Sequence, residues 1–195
     1  TEKDGTVHTL AERWNGKRWI NVEADAKPRG KIDAGWEIET EHYLVRTNHS
    51  LEAGVALGAK LEQLHHVWRQ MFVRFYASEK QILDLFEGRI KPSAGATRLS
   101  VYYFRDRKDY VQYLQKLAGP TIQISSGYYN EALRRAFFYA DKEADDRNLF
   151  HEATHQLFHQ SRRVAANVGA TANFWIVEGI AMYMESLRRE GDYYV

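Results

Sequence analysis

The sequence contains no cysteine, only three prolines and no long apolar run, and each absence narrows what the chain can be. Without cysteine there is no disulfide, no thiolate zinc ligand and no cysteine nucleophile, although the compartment stays undetermined. No apolar stretch approaches the roughly 20 residues of a membrane span. The net charge of +1, from 27 basic and 26 acidic residues, shows no basic excess. We therefore expect no membrane span and no nucleic-acid partner.

What the chain does contain is typical of a folded domain. Its 195 residues are 44% hydrophobic and include five Trp, twelve Tyr and nine Phe, which argues against disorder. The length suffices for one domain, or for two small lobes around a cleft. The chain opens on Thr1 without Met, which fits either a mature secreted or periplasmic form or a trimmed chain. Of these, we favour a secreted or periplasmic protein. A helical pattern ends near Val195, which fits a native chain that extends further. Nothing indicates the oligomeric state.

The pattern along the chain predicts an N-terminal hairpin with a connector (residues 1–35) and a main domain (residues 36–195). The hairpin consists of strands at 6–10 and 18–22 around the Asn15-Gly16 turn. In the main domain, a long helix begins at the N-cap Ser50 and runs to about Tyr76. Strands are predicted at 36–47, 98–104, 121–125 and 134–140, a loop at 126–130, and shorter helices at 106–117, around 148–159 and at 173–189. This order predicts an α+β fold, in which helices pack on a mixed, partly antiparallel sheet.

One short motif, H-E-x-x-H, carries the clearest chemistry. It comprises His151-Glu152-Ala153-Thr154-His155, in a run that neither Gly nor Pro interrupts, so we expect a helix. Residues four apart stand one above the other on a helix, so both imidazoles project from one face and suit a shared Zn²⁺. Glu152 lies beside them, placed to act on a metal-bound water rather than to ligate. The alternative is a surface helix with two solvated histidines.

A catalytic zinc site needs a third protein ligand and an open position. The H-E-x-x-H-x-x-G-x-x-H pattern is excluded, because Phe158 and Ser161 occupy its later positions. The downstream carboxylates are Glu178, Glu185, Glu190 and Asp192. Of these, Glu178 lies in an apolar segment, where burial of a carboxylate is costly unless it is paired or coordinates a metal. We therefore predict that Glu178 is the third ligand.

The combination of H-E-x-x-H with the later W-x-x-E-G-x-A-x-x-x-x-E resembles the gluzincin metallopeptidases, especially their aminopeptidase-N-like branch. Over residues 148–187 the resemblance implies that His151, His155 and Glu178 bind zinc and that Glu152 is the general base. It also implies that Glu185 orients a zinc-bound histidine and that a zincin-like fold has a C-terminal helical part supplying the third ligand. The exopeptidase motif G-x-M-x-N is absent, Val177 replaces a residue that is usually polar, and the gap between His155 and Glu178 is longer. A general peptidase is therefore expected rather than an aminopeptidase.

The resemblance also implies a tyrosine or histidine that stabilises the oxyanion, and Tyr183, Tyr193 and Tyr194 are the candidates downstream of Glu178. Gluzincins lay an extended peptide along a sheet edge before the zinc helix, and residues 137–140 or 121–125 are the candidates for that edge. We expect His159 near the site or on the surface, because it lies about 12 Å along the helix from His151. His65 and His66 are expected on the surface.

Two functions follow from these residues. The first is zinc-dependent hydrolysis of peptide bonds through a metal-activated water, with Glu152 as the general base and a peptide or protein as substrate. The second is a catalytically inactive peptidase-like module that binds zinc or peptide.

Overall fold

The computed structural model describes residues 12–14, 19–21, 27–89, 97–141, 146–161, 174–190 and 193–194. The strands are β1 (Glu12–Trp14), β2 (Trp19–Asn21), β3 (Trp36–Glu39), β4 (Tyr43–Thr47), β5 (Leu99–Phe104), β6 (Tyr128–Asn130), β7 (Arg135–Tyr139), β8 (Arg189–Glu190) and β9 (Tyr193–Tyr194). The α-helices are α1 (Leu51–Met71), α2 (Val73–Tyr76), α3 (Glu79–Phe86), α4 (Arg107–Ala118), α5 (Arg147–Ser161) and α6 (Phe174–Glu185). Three 3₁₀ helices lie at Lys27–Gly30, Ile32–Ala34 and Pro120–Ile124.

A five-stranded mixed sheet in the order β3-β4-β5-β7-β6 organises the main domain. Strands β4, β5 and β7 are parallel, whereas β3 and β6 run antiparallel to their neighbours at the two edges. The α+β fold with a mixed, partly antiparallel sheet is therefore confirmed. The short pairs β1–β2 and β8–β9 are antiparallel hairpins. The first described hairpin strand lies at 12–14, and the strand predicted at 6–10 falls outside the described residues.

Each face of the sheet carries its own hydrophobic core, because side chains alternate along a strand. On one face, Val101 and Phe138 pack against α1, α5 and α6. On the other face, Tyr102 and Phe137 pack against α4 and the 3₁₀ helix at Pro120–Ile124. The centres of both cores are closed to the surface, since Val101 and Phe137 are fully buried. Helix α5, which carries the H-E-x-x-H motif, therefore lies on the same face as the long helix α1.

Helix α1 approaches the sheet closely at a glycine. Ser50 caps it as predicted, because its hydroxyl accepts a hydrogen bond from the N–H of Ala53 at 3.1 Å. A Cβ on Gly54 would lie 2.5 Å from Ile38 Cδ1 and 2.8 Å from Thr47 Cγ2. A glycine at this position therefore lets the helix seat directly on β3 and β4.

Three of the predicted elements were wrong. Residues 36–47 form two antiparallel strands rather than one, because the polar turn at 40–42 reverses the chain. Residues 121–125 lie mostly in a 3₁₀ helix that begins at Pro120, a residue that favours the first position of a helical turn. The predicted loop at 126–130 contains the edge strand β6, which pairs with β7 over three residues. The peptide-binding edge was therefore misassigned, since β7 is internal and 121–125 is not a strand.

No helix among the described residues is long and apolar enough to cross a membrane.

Candidate metal centre

Helix α5 presents the two motif histidines because its other side is anchored in the core. Phe150, Ala153 and Leu157 are at most 1% exposed and pack towards the sheet. His151 and His155 are four residues apart on the half-buried side, with their Nε2 atoms 3.2 Å from one another. Two Nε2 atoms so close, on rings inclined by 73°, point towards a common position. The helix prediction and the shared face of the two histidines are confirmed.

The carboxylate of Glu178, on α6, completes a group of three ligand atoms. Its Oε2 lies 3.4 Å from His151 Nε2, and its Oε1 lies 3.4 Å from His155 Nε2. Ligands at 2.0–2.1 Å from a tetrahedral zinc are about 3.3–3.4 Å apart, since that is the edge of such a tetrahedron. The Nε2–Nε2 separation of 3.2 Å is close to this edge, and each of the two nitrogens has a different oxygen of the Glu178 carboxylate at 3.4 Å. Two nitrogens and one carboxylate oxygen also form a donor set that suits zinc and leaves one vertex for water.

Glu185, also on α6, contacts the His151 ring on the side away from the three possible ligand atoms. Its Oε2 is 3.0 Å from Nδ1 of His151, the ring nitrogen opposite the candidate ligand atom. A carboxylate there accepts the Nδ1 proton, so that Nε2 keeps its lone pair for a metal and the ring stays oriented. Glu178 and Glu185 are seven residues apart on α6, so both face α5.

Glu152 occupies a tight space between α5 and the edge strand. Its Oε2 accepts a hydrogen bond from the N–H of Tyr129 in β6 at 3.0 Å. A Cβ on Gly127 would lie 2.9 Å from Glu152 Cγ and 3.4 Å from the Phe138 ring. Burial raises the pKa of Glu152, while the charge of His151 and the Tyr129 N–H oppose that rise and Glu178 adds to it. A carboxylate with a raised pKa beside a metal position suits the transfer of a proton.

His155 is held in its neutral form. Burial lowers its pKa to about 4, and the neighbouring His151 and His159 act in the same direction. Since a metal binds only the neutral imidazole, this environment favours ligation over protonation at neutral pH. His159 itself stacks on the Tyr129 ring, with centroids 5.7 Å apart, and its Nδ1 lies 3.7 Å from Glu131. It thus belongs to the support of the edge strand and not to the three-ligand group.

The reason for choosing Glu178 holds only in part, although its carboxylate does approach both motif histidines. Its side chain is 30% exposed, and the neighbouring Phe174 and Trp175 are 60% and 73% exposed. Part of the segment that looked like a buried apolar environment therefore faces outward, although Val177 is buried. What places Glu178 at the site is the packing of α6 against α5, which sequence alone does not reveal.

The three tyrosines proposed as oxyanion donors have different outcomes. Tyr183 is 54% exposed and lies about 140° around α6 from Glu178, so its side chain points away from the candidate site. For Tyr193 and Tyr194 the structure describes only the backbone, in β9. Sequence reasoning missed Gly127 and the N–H of Tyr129. The sequence signal for them was the Ser126-Gly127 pair before two tyrosines, and this pattern is equally typical of a loop.

A second group of possible ligands comprises His42, Glu62 and His65. The His42 and His65 rings are stacked, with centroids 3.8 Å apart and planes inclined by 25°. An imidazole binds a metal in its own plane, and two nearly parallel stacked rings share no such point close to both. The Glu62 carboxylate is also engaged, by the Thr40 hydroxyl at 2.5 Å and by the N–H of His42 at 2.7 Å. We interpret this group as a clamp that joins the β3–β4 turn to α1.

The expectation that His65 lies on the surface was wrong. Only 9% of His65 is exposed, and burial, followed by the nearby His42, lowers its pKa to about 4. His66 is exposed, as predicted.

A comparison with models of known protein families found no match, and a comparison with curated proteins found no significant relative.

Proposed function

We propose that this protein is a zinc-dependent peptide hydrolase of the gluzincin type, with a zincin-like fold. The observation that carries the proposal is the convergence of His151, His155 and the Glu178 carboxylate, whose nearest nitrogen and oxygen atoms lie 3.2–3.4 Å apart, with the half-buried Glu152 next to His151 on the same helix. A zinc ion bound there would act as a Lewis acid that makes water acidic and polarises a carbonyl group.

The role of Glu152 follows from its position. Its carboxylate is held on the β6 side of α5 by the Tyr129 N–H, and His151 and His155 hold the adjacent metal position. From there Glu152 takes the proton of the attacking water and passes it to the leaving amine. The Tyr129 N–H favours the ionised carboxylate, which is the form that accepts the proton.

A peptide is the substrate class that the edge strand favours. β6 is the terminal strand of the sheet, and it also contacts Glu152 through Tyr129. An extended peptide can add to such an edge by backbone hydrogen bonds, which would bring its amide bonds beside the metal position. Extended pairing needs few side-chain contacts, so this geometry fits a general peptidase better than a small-molecule hydrolase.

Metal analysis together with activity tests the proposal. We expect about one zinc per chain and cleavage of unstructured peptides by the wild type. Glu152→Gln should keep the zinc and lower kcat on the order of 10²–10⁴-fold, the usual contribution of a general base. Glu52→Gln, at an exposed position of α1, is the matched control and should leave both values unchanged. A wild type that takes up no zinc at neutral pH would refute the proposal.

A second candidate is a catalytically inactive module that binds zinc and peptide. The outward orientation of Tyr183 favours it, because the described part of α6 then provides no tyrosine donor for an oxyanion. Bound zinc without turnover on a broad peptide mixture, together with peptide binding that Glu152→Gln does not change, would select this candidate over the hydrolase.

A further inference from the structure

A polar pocket of about 370 Å³ opens where the first turn of α5 meets α1 and the end of β7. The side chains that give it polar character are Lys60, Ser126, Asp141, Asp146, Arg147 and Asn148. Phe138, Tyr103 and Leu149 provide its apolar wall. The volume lies at the lower end of small-ligand sites and is sufficient for one amino-acid side chain.

The pocket lies one turn of α5 from Glu152. Asn148 lines it and precedes Glu152 by four residues, so the two lie on the same face of α5, about 6 Å apart along the axis. Phe138 lines it too, and this ring also borders the space in which Glu152 Cγ approaches Gly127. Ser126, the neighbour of Gly127, completes the connection. The pocket and the general base thus share one wall.

The leaving amine determines which substrate side chain reaches the pocket. Glu152 must come within hydrogen-bond distance of the leaving nitrogen to protonate it. The residue that carries this nitrogen therefore has its Cα close to Glu152. A pocket one helical turn away is within reach of a side chain of four or five atoms from that residue.

The lining of the pocket decides the kind of side chain. Lys60 Nζ and Asp146 Oδ1 form an ion pair at 2.5 Å that joins α1 to the start of α5. Both side chains are about two-fifths exposed or less, at 35% and 39%, so water still solvates the pair. An apolar side chain would remove that water without replacing its hydrogen bonds, whereas an amide or hydroxyl group can replace them.

We propose that this is a specificity pocket for the residue on the leaving-amine side of the scissile bond, and that it selects polar side chains over apolar ones of the same size. The inference rests on the proposed hydrolase function and adds its substrate preference. Lys60 and Asp146 are the residues that set the preference.

The test compares peptides that differ only by Gln or Met at one position, because these unbranched side chains are similar in length. Cleavage sites are identified by mass spectrometry, and kcat/KM is measured for each peptide. We expect the wild type to prefer Gln after the scissile bond on the order of tenfold, the discrimination typical of one unreplaced polar contact. Lys60→Met combined with Asp146→Leu removes both charges together, so that neither is left unpaired. This double variant should lose the preference or reverse it towards Met.

Asn148→Leu is a second variant, at an exposed helix position that tolerates substitution. It should also weaken the preference for Gln over Met. Lys108→Met, on α4 at the opposite face of the sheet, is the control and should keep it. Cleavage with equal rates for Gln and Met, or a preference that the double variant and Asn148→Leu leave unchanged, overturns the inference while the hydrolase proposal stands.

Binding of the same two peptides to zinc-loaded Glu152→Gln protein separates the remaining outcomes. If the wild type cleaves neither peptide but this protein binds the Gln peptide more tightly, and the pocket variants abolish the difference, the pocket inference holds and the hydrolase proposal fails. Equal binding, or no binding, in a protein that does not cleave overturns both.

Discussion

Gly127→Ala tests whether the space around Glu152, the proposed general base, determines activity. Gly127 is not among the described glycines with a positive φ, so alanine fits its backbone without strain. The added Cβ would lie 2.9 Å from Glu152 Cγ and 3.4 Å from two atoms of the Phe138 ring. Carbon atoms prefer separations of about 3.5–4.0 Å, so the Glu152 side chain must move by roughly 0.5–1 Å. Phe138 packs in the core and has little freedom to move instead.

A displacement of that size is sufficient to impair proton transfer. Misplacement of a reacting group by about 1 Å costs up to about 10²-fold in rate, so we expect kcat to fall roughly 10–100-fold. Zinc content should not change, because the three candidate ligands do not include a neighbour of Gly127. The assay is kcat on an unstructured peptide together with zinc content and a thermal melt.

Gly179→Ala is the matched control. Gly179 follows the candidate ligand Glu178 on α6, yet a Cβ there meets no atom of the described residues within 4 Å. We expect full activity and unchanged zinc content, with a small gain in stability because alanine favours a helix over glycine. Full activity of Gly127→Ala, or an equal loss in Gly179→Ala, would refute the reasoning.

Three further predictions concern the metal, pH and packing. Glu185→Gln should weaken zinc affinity about 10–100-fold, measured by competition with a chelator, because His151 loses its carboxylate partner; an unchanged affinity would remove Glu185 from the site. His65 has a folded pKa of about 4 against 6.5 when unfolded, so the unfolded state binds more protons between these values and stability must fall as pH drops from 6.5 to 4. In urea unfolding of the metal-free protein, the free energy of unfolding should therefore fall less between pH 6.5 and 4 for His65→Asn than for the wild type, by up to about 3 kcal/mol. An identical pH dependence in both proteins would contradict the lowered pKa of His65. Gly54→Ala should destabilise the fold by about 1–3 kcal/mol in the same assay, since its Cβ would overlap Ile38, and wild-type stability would show that α1 can shift without cost.

Local patterns predicted the parts of this protein that depend on near neighbours in the chain. The cap at Ser50, the strand at 99–104 and the short helix capped by Asp106 follow from residues within a few positions. The same holds for the shared face of His151 and His155, because a four-residue spacing on a helix fixes it. These features required no knowledge of distant partners.

The errors arose where partners distant in sequence decide the structure. Strand β6 is only three residues long and exists because β7 offers its edge to it. Its sequence alone resembles a turn, since Ser126-Gly127 and Asn130 are turn residues. His65 looked like surface, yet the β3–β4 turn covers it through stacking by His42. In each case the competing local signal was weaker than a tertiary contact.

The sequence by itself determined the α+β class, the zinc-motif helix and the residue types of the candidate centre, because these depend on composition and on short spacings. Only the tertiary structure decided that Glu178 and Glu185 approach the motif from α6, that Tyr183 faces away, and that Gly127 and Tyr129 enclose Glu152. The physical reason is that the site lies between α5, α6 and the edge strand β6, and the mutual packing of these elements is governed by burial across the whole domain. No spacing within one segment encodes it.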